Sequence, residues 1–565
     1  MSLNVNPLGV QRVIDPRLEI TEGKKRYNVV GGAMINAWRY HPATNVSNSN
    51  FSISCNPPSR DICVSRYVLK KVVFSWTITG VNSSGGKLLN DGYIAPRALP
   101  LTSVTQSESI TLGGDTITQA PLSQYWRALL RYRNDLESRN GVFSLCPNML
   151  DQHQEYSDGV GGIRNPLAGY DDNSSEFTRG SYVGFTIDPQ TFGNTTATGT
   201  LTTYEPILMS PFAFGENCNS LSSFIGLGDM SYNVNLGKLS RILSVVQGQG
   251  VPTGEIVLNE PIVNVESAGL LFNYFTPDPT FSPIPSISEY SYYQCVPHPT
   301  KYHAPISPGQ TVSITMNSIQ VQSIPKRVYI FAREDDSTET AFTTDTYMSL
   351  PRGTNPLTVN WDNNIFLSTA QTEDIYNIAV KNGCNLSYTQ FTDKVGSVVA
   401  LDFGIDIGLQ PNQSPGSLGN YQFQITCSFT NTKNRILNNV SLFVVVVSEG
   451  VFNINNGVAS HMIGVLSPDD ILNAPLAPEG SYNTHRDVYG GSWNSFKNML
   501  KKGLGYAKEH KLISKGLASS GNPYGVMASK VASALGYGLS GGNIDFNNNH
   551  KIKKGQKNLK LSDMC

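Results

Sequence analysis

Charged side chains are scarce in this 565-residue chain, at 15%. That argues against a purely helical protein, which would be far richer in Lys, Glu and Ala. The eight cysteines (Cys55, Cys63, Cys146, Cys218, Cys295, Cys384, Cys427 and Cys565) include no pair at CxxC spacing. Neither a zinc knuckle nor a dense disulfide framework is implied, and a reducing compartment is expected. The longest apolar run, Leu442 to Val447, is about a third of the ~20 residues that span a bilayer. Met1-Ser2-Leu3-Asn4-Val5-Asn6-Pro7 has neither the cationic start nor the apolar stretch of a signal peptide, so a soluble chain made in the cytoplasm is expected. There is no HExxH, no GxSxG and no Rossmann fingerprint. The nearest P-loop lookalike, Gly80-Val81-Asn82-Ser83-Ser84-Gly85-Gly86-Lys87-Leu88, has five residues between Gly80 and Gly86, and Leu88 where Ser or Thr must meet magnesium. It reads as a hairpin turn. No enzyme, cofactor or metal is expected.

What the chain has in abundance is turn chemistry: 51 Gly and 32 Pro, with many Asn, Ser and Thr, fit strands separated by frequent turns. The first 480 or so residues read twice as strands, one isolated helix, and more strands. Between the two readings lies Thr276-Pro277-Asp278-Pro279-Thr280-Phe281-Ser282-Pro283-Ile284-Pro285, which suits a boundary because proline cannot join a ladder. Strands are expected at 66–79, 199–208 and 254–274 in the first half, and at 311–316, 327–332, 398–403, 421–429 and 440–447 in the second. One helix is expected over 121–132, with Leu122, Tyr125, Trp126, Leu129 and Leu130 forming the apolar stripe of a helix laid on a sheet. The other is expected over 369–382, opened by Ser368-Thr369-Ala370-Gln371 and closed by Gly383. Seven or eight strands per half, joined by long connections, match the eight-stranded jelly roll. The fold class is therefore all-β, two tandem eight-stranded jelly rolls with a short basic, partly helical C-terminal tail. The domains are 1–280, 281–475 and 476–565.

The charge is unevenly placed. Residues 481–565 hold thirteen Lys and Arg against four Asp and Glu, a net of +9; the other 480 residues then hold 29 against 39, a net of −10. An acidic body with a basic tail is a statement about partners. In the tail, Trp493, Phe496, Leu500 and Leu504 fall near helical spacing, with Lys497, Lys501, Lys502 and Lys508 mostly off that face. Such a segment suits an anionic membrane, DNA phosphates or a transient assembly scaffold, set against a solvated tail ordered only by neighbouring subunits. His298 and His303 are two candidate metal ligands, but they have no Cys or carboxylate between them and prolines on either side, and a loop is expected instead. Glu334-Asp335-Asp336 reads as a solvated turn rather than a calcium site.

Three stretches carry a resemblance: Arg97-Ala98-Leu99-Pro100-Leu101-Thr102-Ser103-Val104 with the Trp126 helix; Ser323 to Arg333; and Ser417 to Gln424, running on to Val447-Ser448-Glu449-Gly450. Over most of residues 1–475 the chain resembles the double jelly-roll major capsid proteins of small eukaryotic DNA viruses, the virophage and polinton-like group related to adenovirus hexon. The resemblance implies a homotrimer whose two upright rolls per chain make a pseudo-hexagonal capsomer of an icosahedral virion. Neighbouring capsomers, penton and minor capsid proteins would be its partners. The Gly-, Asn- and Ser-rich residues 150–200 would then be an outer loop. It also implies maturation by a viral cysteine protease that cuts after Gly-Gly, for which Leu539-Ser540-Gly541-Gly542 before Asn543 has the required pattern, with a flexible hinge as the other reading. The basic tail would face the interior, towards DNA or an internal membrane. From another class, a carbohydrate-binding or attachment β-sandwich protein would need an aromatic platform or a carboxylate pair in a groove.

Overall fold

The computed structural model describes residues 11–13, 27–29, 35–57, 62–89, 94–97, 99–132, 182–212, 223–245, 256–276, 287–343, 347–384, 386–464 and 466. Residues 1–465 form one compact unit. Within it, every ladder between described strands pairs strands inside 11–276 or inside 287–463, and none crosses the proline-studded segment. The first half holds a five-stranded sheet, in the order Asp115–Gln119, Thr105–Leu112, Met230–Leu236, Asn50–Cys55 and Asn45–Val46, and an eight-stranded sheet centred on Leu69–Asn82 and Ile262–Thr276. The second half holds two five-stranded sheets. One is built on Val440–Asn455, flanked by Ile287–Tyr302 and Arg327–Glu334; the other is built on Leu418–Thr430. This is a double jelly roll.

Period-two patterning produces these sheets. In Leu69–Asn82, residues Val72, Phe74, Trp76 and Ile78 are buried, while Lys71, Val73, Ser75 and Thr77 face partly outward, as a strand with one wet face requires. Val440 to Val447 is buried on both faces, because it is the central strand of its sheet and helices cover the back of that sheet. Helix α1 spans Pro100–Val104, α2 Leu122–Arg131 and α3 Thr372–Lys381. Both α2, on Arg327–Glu334, and α3, on Val399–Asp402, pack against that sheet.

The structure departs from the sequence reading in four places. Residues 182–187 and 196–200 are strand rather than outer loop, the latter opening Thr196–Pro206, which continues as the strand expected over 199–208, with Ala197, Gly199, Leu201 and Thr203 alternating inward; residues 133–181 lie outside the described set. His298 stands in strand Ile287–Tyr302, not in a loop. Pro297 and Pro299 are tolerated there because this is an edge strand, whose outer N–H groups need no ladder partner. The 82–88 turn is closed by side chains (Asn82 Nδ2 to Gly86 O at 2.8 Å, Ser84 Oγ to Asn82 Oδ1 at 2.8 Å), and the strands on either side of it do not pair, so it is no hairpin. Helix α3 begins three residues later than expected: Gln371 is its N-cap, in a capping box with Asp374, whose carboxylate accepts the Gln371 N–H at 3.0 Å.

The first roll carries ionisable groups in its interior. Lys70 falls on the core parity of its strand and is fully buried, 3.5 Å from the Glu108 carboxylate. Tyr232 donates to the same carboxylate at 2.6 Å; burial, with Glu108 pushing the same way, holds its phenol well above the ordinary range. Buried Glu205 closes the start of α1: Leu101 N–H donates at 2.6 Å to one oxygen, and Thr102 N–H (2.8 Å) and hydroxyl (2.6 Å) donate to the other. Glu205→Gln would turn an amide N–H₂ towards these donors and weaken the charge balance around Lys70. The expected loss is about 3 kcal/mol in urea denaturation of the full chain, given ~1.5–3 kcal/mol for a hydrogen bond to a charged group.

Candidate functional site: the seam between the two rolls

Helix α2 belongs to the first half of the chain, yet nine of its ten residues are buried. It lies between Thr105–Leu112 of the first roll and Arg327–Glu334 of the second. The stripe residues Leu122, Tyr125, Trp126, Leu129 and Leu130 join the hydrophobic core of the second roll, with Leu99, Ala128, Tyr132 and Leu208. A stripe read as one face on its own sheet is thus a layer shared by two. The Tyr132 hydroxyl donates to Val398 O across the seam, and the Tyr132 and Tyr329 rings meet edge to face at 5.7 Å. Arg131 donates to Gly396 O at 3.2 Å and lies over the Tyr347 ring at 4.4 Å; burial lowers its pKa from the ordinary arginine value.

Around α2 the seam is ionic. Asp336 Oδ1 accepts from Arg241 at 2.6 Å and Arg333 at 2.8 Å, and its Oδ2 accepts from the Ser123 hydroxyl at 2.6 Å. Glu339 Oε2 lies 2.6 Å from each of the same two arginines. Arg333 also donates to Ser123 O and Gln124 O, both at 3.2 Å, in the first turn of α2. Two guanidiniums and two carboxylates balance, as charges withdrawn from water must. Arg97, fully buried, extends the clamp. Its Nε donates to Leu243 O at 3.1 Å, and its Nη2 to Thr340 O (3.1 Å), Ala341 O (3.3 Å) and Thr343 O (2.8 Å). Next to it, Leu99 is held at φ 45° with its side chain fully buried, an expensive conformation for leucine that the surrounding packing has to impose.

A second contact joins the rolls where the Asn456-Gly457 turn nests on the first roll. A Cβ on Gly228 would lie 2.5 Å from Gly457 O, and one on Gly113 2.4 Å from it, so both positions need glycine for this approach. His461 Nδ1 lies 2.6 Å from Asp115 Oδ2, with the Tyr292 ring 5.0 Å from the imidazole.

Two of the stretches that carried the family resemblance therefore meet at the seam, through Arg97 and Arg333. The acidic run is no solvated turn: Glu334 is paired with Arg435, Asp336 with two arginines, and Asp335 accepts the Ser337 N–H at 2.9 Å. Arg241, Glu339 and His461 were not singled out by the sequence. Arg241 sits on a 3-10 turn, Leu239–Ile242, and nothing local announces its partner 95 residues away. Among the described residues no three or more His, Cys, Asp or Glu are grouped to hold a metal ion, and no helix is long and apolar enough to cross a membrane. The tail positions Trp493, Phe496, Leu500, Leu504, Lys497, Lys501, Lys502 and Lys508, and the Leu539-Ser540-Gly541-Gly542-Asn543 sequence, lie outside the described residues.

Comparison with known proteins agrees with this architecture. Residues 10–275 match the family model of the Sputnik virophage major capsid protein first domain, and residues 299–450 that of the major capsid protein V20 C-terminal domain. The putative capsid protein V20 of Sputnik virophage is 29% identical over 580 residues, covering 96% of this chain and 95% of the relative. A chain of the Sputnik virophage structure solved by cryo-EM at 3.5 Å superposes with a TM-score of 0.71 at 28% identity, over 87% of this chain and all of the other. The crystal structure of the mavirus major capsid protein shares the fold, with a TM-score of 0.60 at 13% identity over 78% and 92% of the two chains. A core helix shared by both rolls and an ion-locked seam suit a structural building block, as the capsid proteins it resembles are. The chain belongs to the virophage major capsid protein family, of double jelly-roll fold.

Proposed function

We propose that three copies of this capsid protein assemble into a pseudo-hexagonal capsomer, and that these capsomers tile an icosahedral shell together with penton and minor capsid proteins. The observation that carries this reading is the seam. A clamp of buried charges and a shared helix make two rolls one body, so a trimer presents six rolls in a fixed arrangement. Apolar side chains stand exposed on both rolls, among them Trp38 (53%), Ile262 (63%), Leu418 (53%) and Val458 (62%), as lateral contacts require. The basic tail is read as facing the interior, towards DNA or an internal membrane, with removal after Gly542 by a viral cysteine protease and synthesis of the chain in the host cytoplasm. Light scattering on the purified full chain is expected to give three times the chain mass, with six-lobed particles in negative stain; a monomer at micromolar concentration would overturn the trimer. Intact-mass analysis of particles is expected to show chains ending at Gly542, and chains all ending at Cys565 would remove the processing step.

A further inference from the structure

On the second roll, away from the seam, the hairpin of Leu357–Trp361 and Asn364–Phe366 and the loop around Gly408 enclose a cleft of about 190 Å³. Its floor is Trp361, held by the stacked Tyr421 ring at 5.3 Å and by edge contacts with Phe403 (4.7 Å) and Phe423 (5.8 Å). This floor is rigid before any guest arrives. Phe366 forms an apolar wall, and Gly408 packs beside it without a side chain: a Cβ there would come within 3.2 Å of the Phe366 ring. Asp362, Asn364 and Gln410 line the rim. The Asp362 carboxylate and the Gln410 side-chain amide make no hydrogen bond among the described residues, while the Gln410 backbone N–H is taken by Gln413 at 3.0 Å. Leu367, next to the wall residue, is held at φ 63°, the kind of backbone strain that concentrates at ligand clamps.

We propose that this cleft binds one neutral sugar ring of a glycan. No Lys, Arg or His lines it, which disfavours phosphate, sulfate or carboxylate ligands. An apolar wall beside free acceptors and donors suits a guest with a C–H face and adjacent hydroxyls. A carboxylate accepts two hydroxyl protons, and a primary amide both donates and accepts. The volume is below the roughly 300–1,000 Å³ of sites for larger ligands, so a single ring fits and a drug-sized molecule does not. The proposal for this cleft does not rest on shell assembly, and either can fail without the other.

The test is saturation-transfer NMR on the full chain with methyl glycosides of glucose, galactose, mannose and N-acetylglucosamine at millimolar concentration. At least one is expected to receive saturation. Gly408→Val, which fills the cleft, is expected to abolish the signal. Asp362→Gly, which suits the φ of 47° at that position, is expected to weaken it about tenfold, the effect of a lost hydrogen bond to a charged group. If Gly408→Val fails to fold, Asp362→Gly decides alone, because glycine relieves strain there. No signal with any of the four glycosides, or a signal unchanged in Asp362→Gly, overturns the proposal.

Discussion

Residues 281–475 produced without the first 280 will not fold cooperatively. The core of the second roll contains Leu99, Leu122, Tyr125, Trp126, Leu129, Leu130 and Tyr132 from the first half, all fully or nearly fully buried. At roughly 1.5–3 kcal/mol per large apolar side chain, their removal withdraws on the order of 10–20 kcal/mol. A domain has only ~5–15 kcal/mol of net stability. The back of the sheet formed by Arg327–Glu334 and Val440–Asn455 would also meet water along an apolar run. Near-ultraviolet circular dichroism and a thermal scan of the fragment are expected to show neither a fixed tertiary signal nor a sharp transition. Residues 94–132 supplied in trans are expected to restore both in part. A fragment melting cooperatively within a few degrees of the full chain would refute this. The first roll borrows less, chiefly Tyr290, Tyr292, Phe452 and Ile454, so residues 1–280 are expected to keep a sheet signal while exposing the apolar face of α2 to a hydrophobic dye.

What the sequence made legible follows the range of each interaction. The β-branched and aromatic run over 66–79 and the alternation over 421–429 are local signals, and they located Leu69–Asn82 and Leu418–Thr430 to within a few residues. The run Val440 to Val447 announced burial on both faces, though not that a helix from the first half of the chain helps to cover one of them. Pro297 and Pro299 pointed away from a strand, because a proline reports the loss of its own N–H and is silent on whether its strand lies at an edge. Lys70 held an unread signal: it shares parity with Val72, Phe74 and Trp76, so a count of alternation along the strand would have placed a charge on the core face. The seam itself was hidden, since Arg241, Arg333, Asp336 and Glu339 look like any surface charges until the two rolls are docked. For the cleft, Trp361 and Asp362 lie in a plain strand–turn–strand pattern, and only the approach of the Gly408 loop turns that hairpin tip into a concave surface.

Removing one member of the buried clamp will cost more than its number of contacts suggests. Glu339→Ala removes a carboxylate that lies 2.6 Å from both Arg241 and Arg333, whose side chains are only 3% and 5% exposed. An uncompensated buried charge costs about 3–5 kcal/mol, and screening by added salt will recover little of it because the pair is out of solvent. Arg333→Met is expected to cost a similar amount, since it also releases the Ser123 and Gln124 carbonyls of α2. The discriminating variant replaces all four charges together, Arg241→Met, Arg333→Met, Asp336→Leu and Glu339→Leu, which by the general behaviour of buried ion clusters is expected to regain much of the loss. If the four-fold variant is stable yet no longer forms uniform trimers by light scattering, the clamp's role is to fix how one roll sits on the other, because an apolar patch tolerates sliding that paired charges do not. If it is both stable and trimeric, helix α2 and the Gly457 contact are enough to set that geometry, and the charges matter only because none of them can be buried alone.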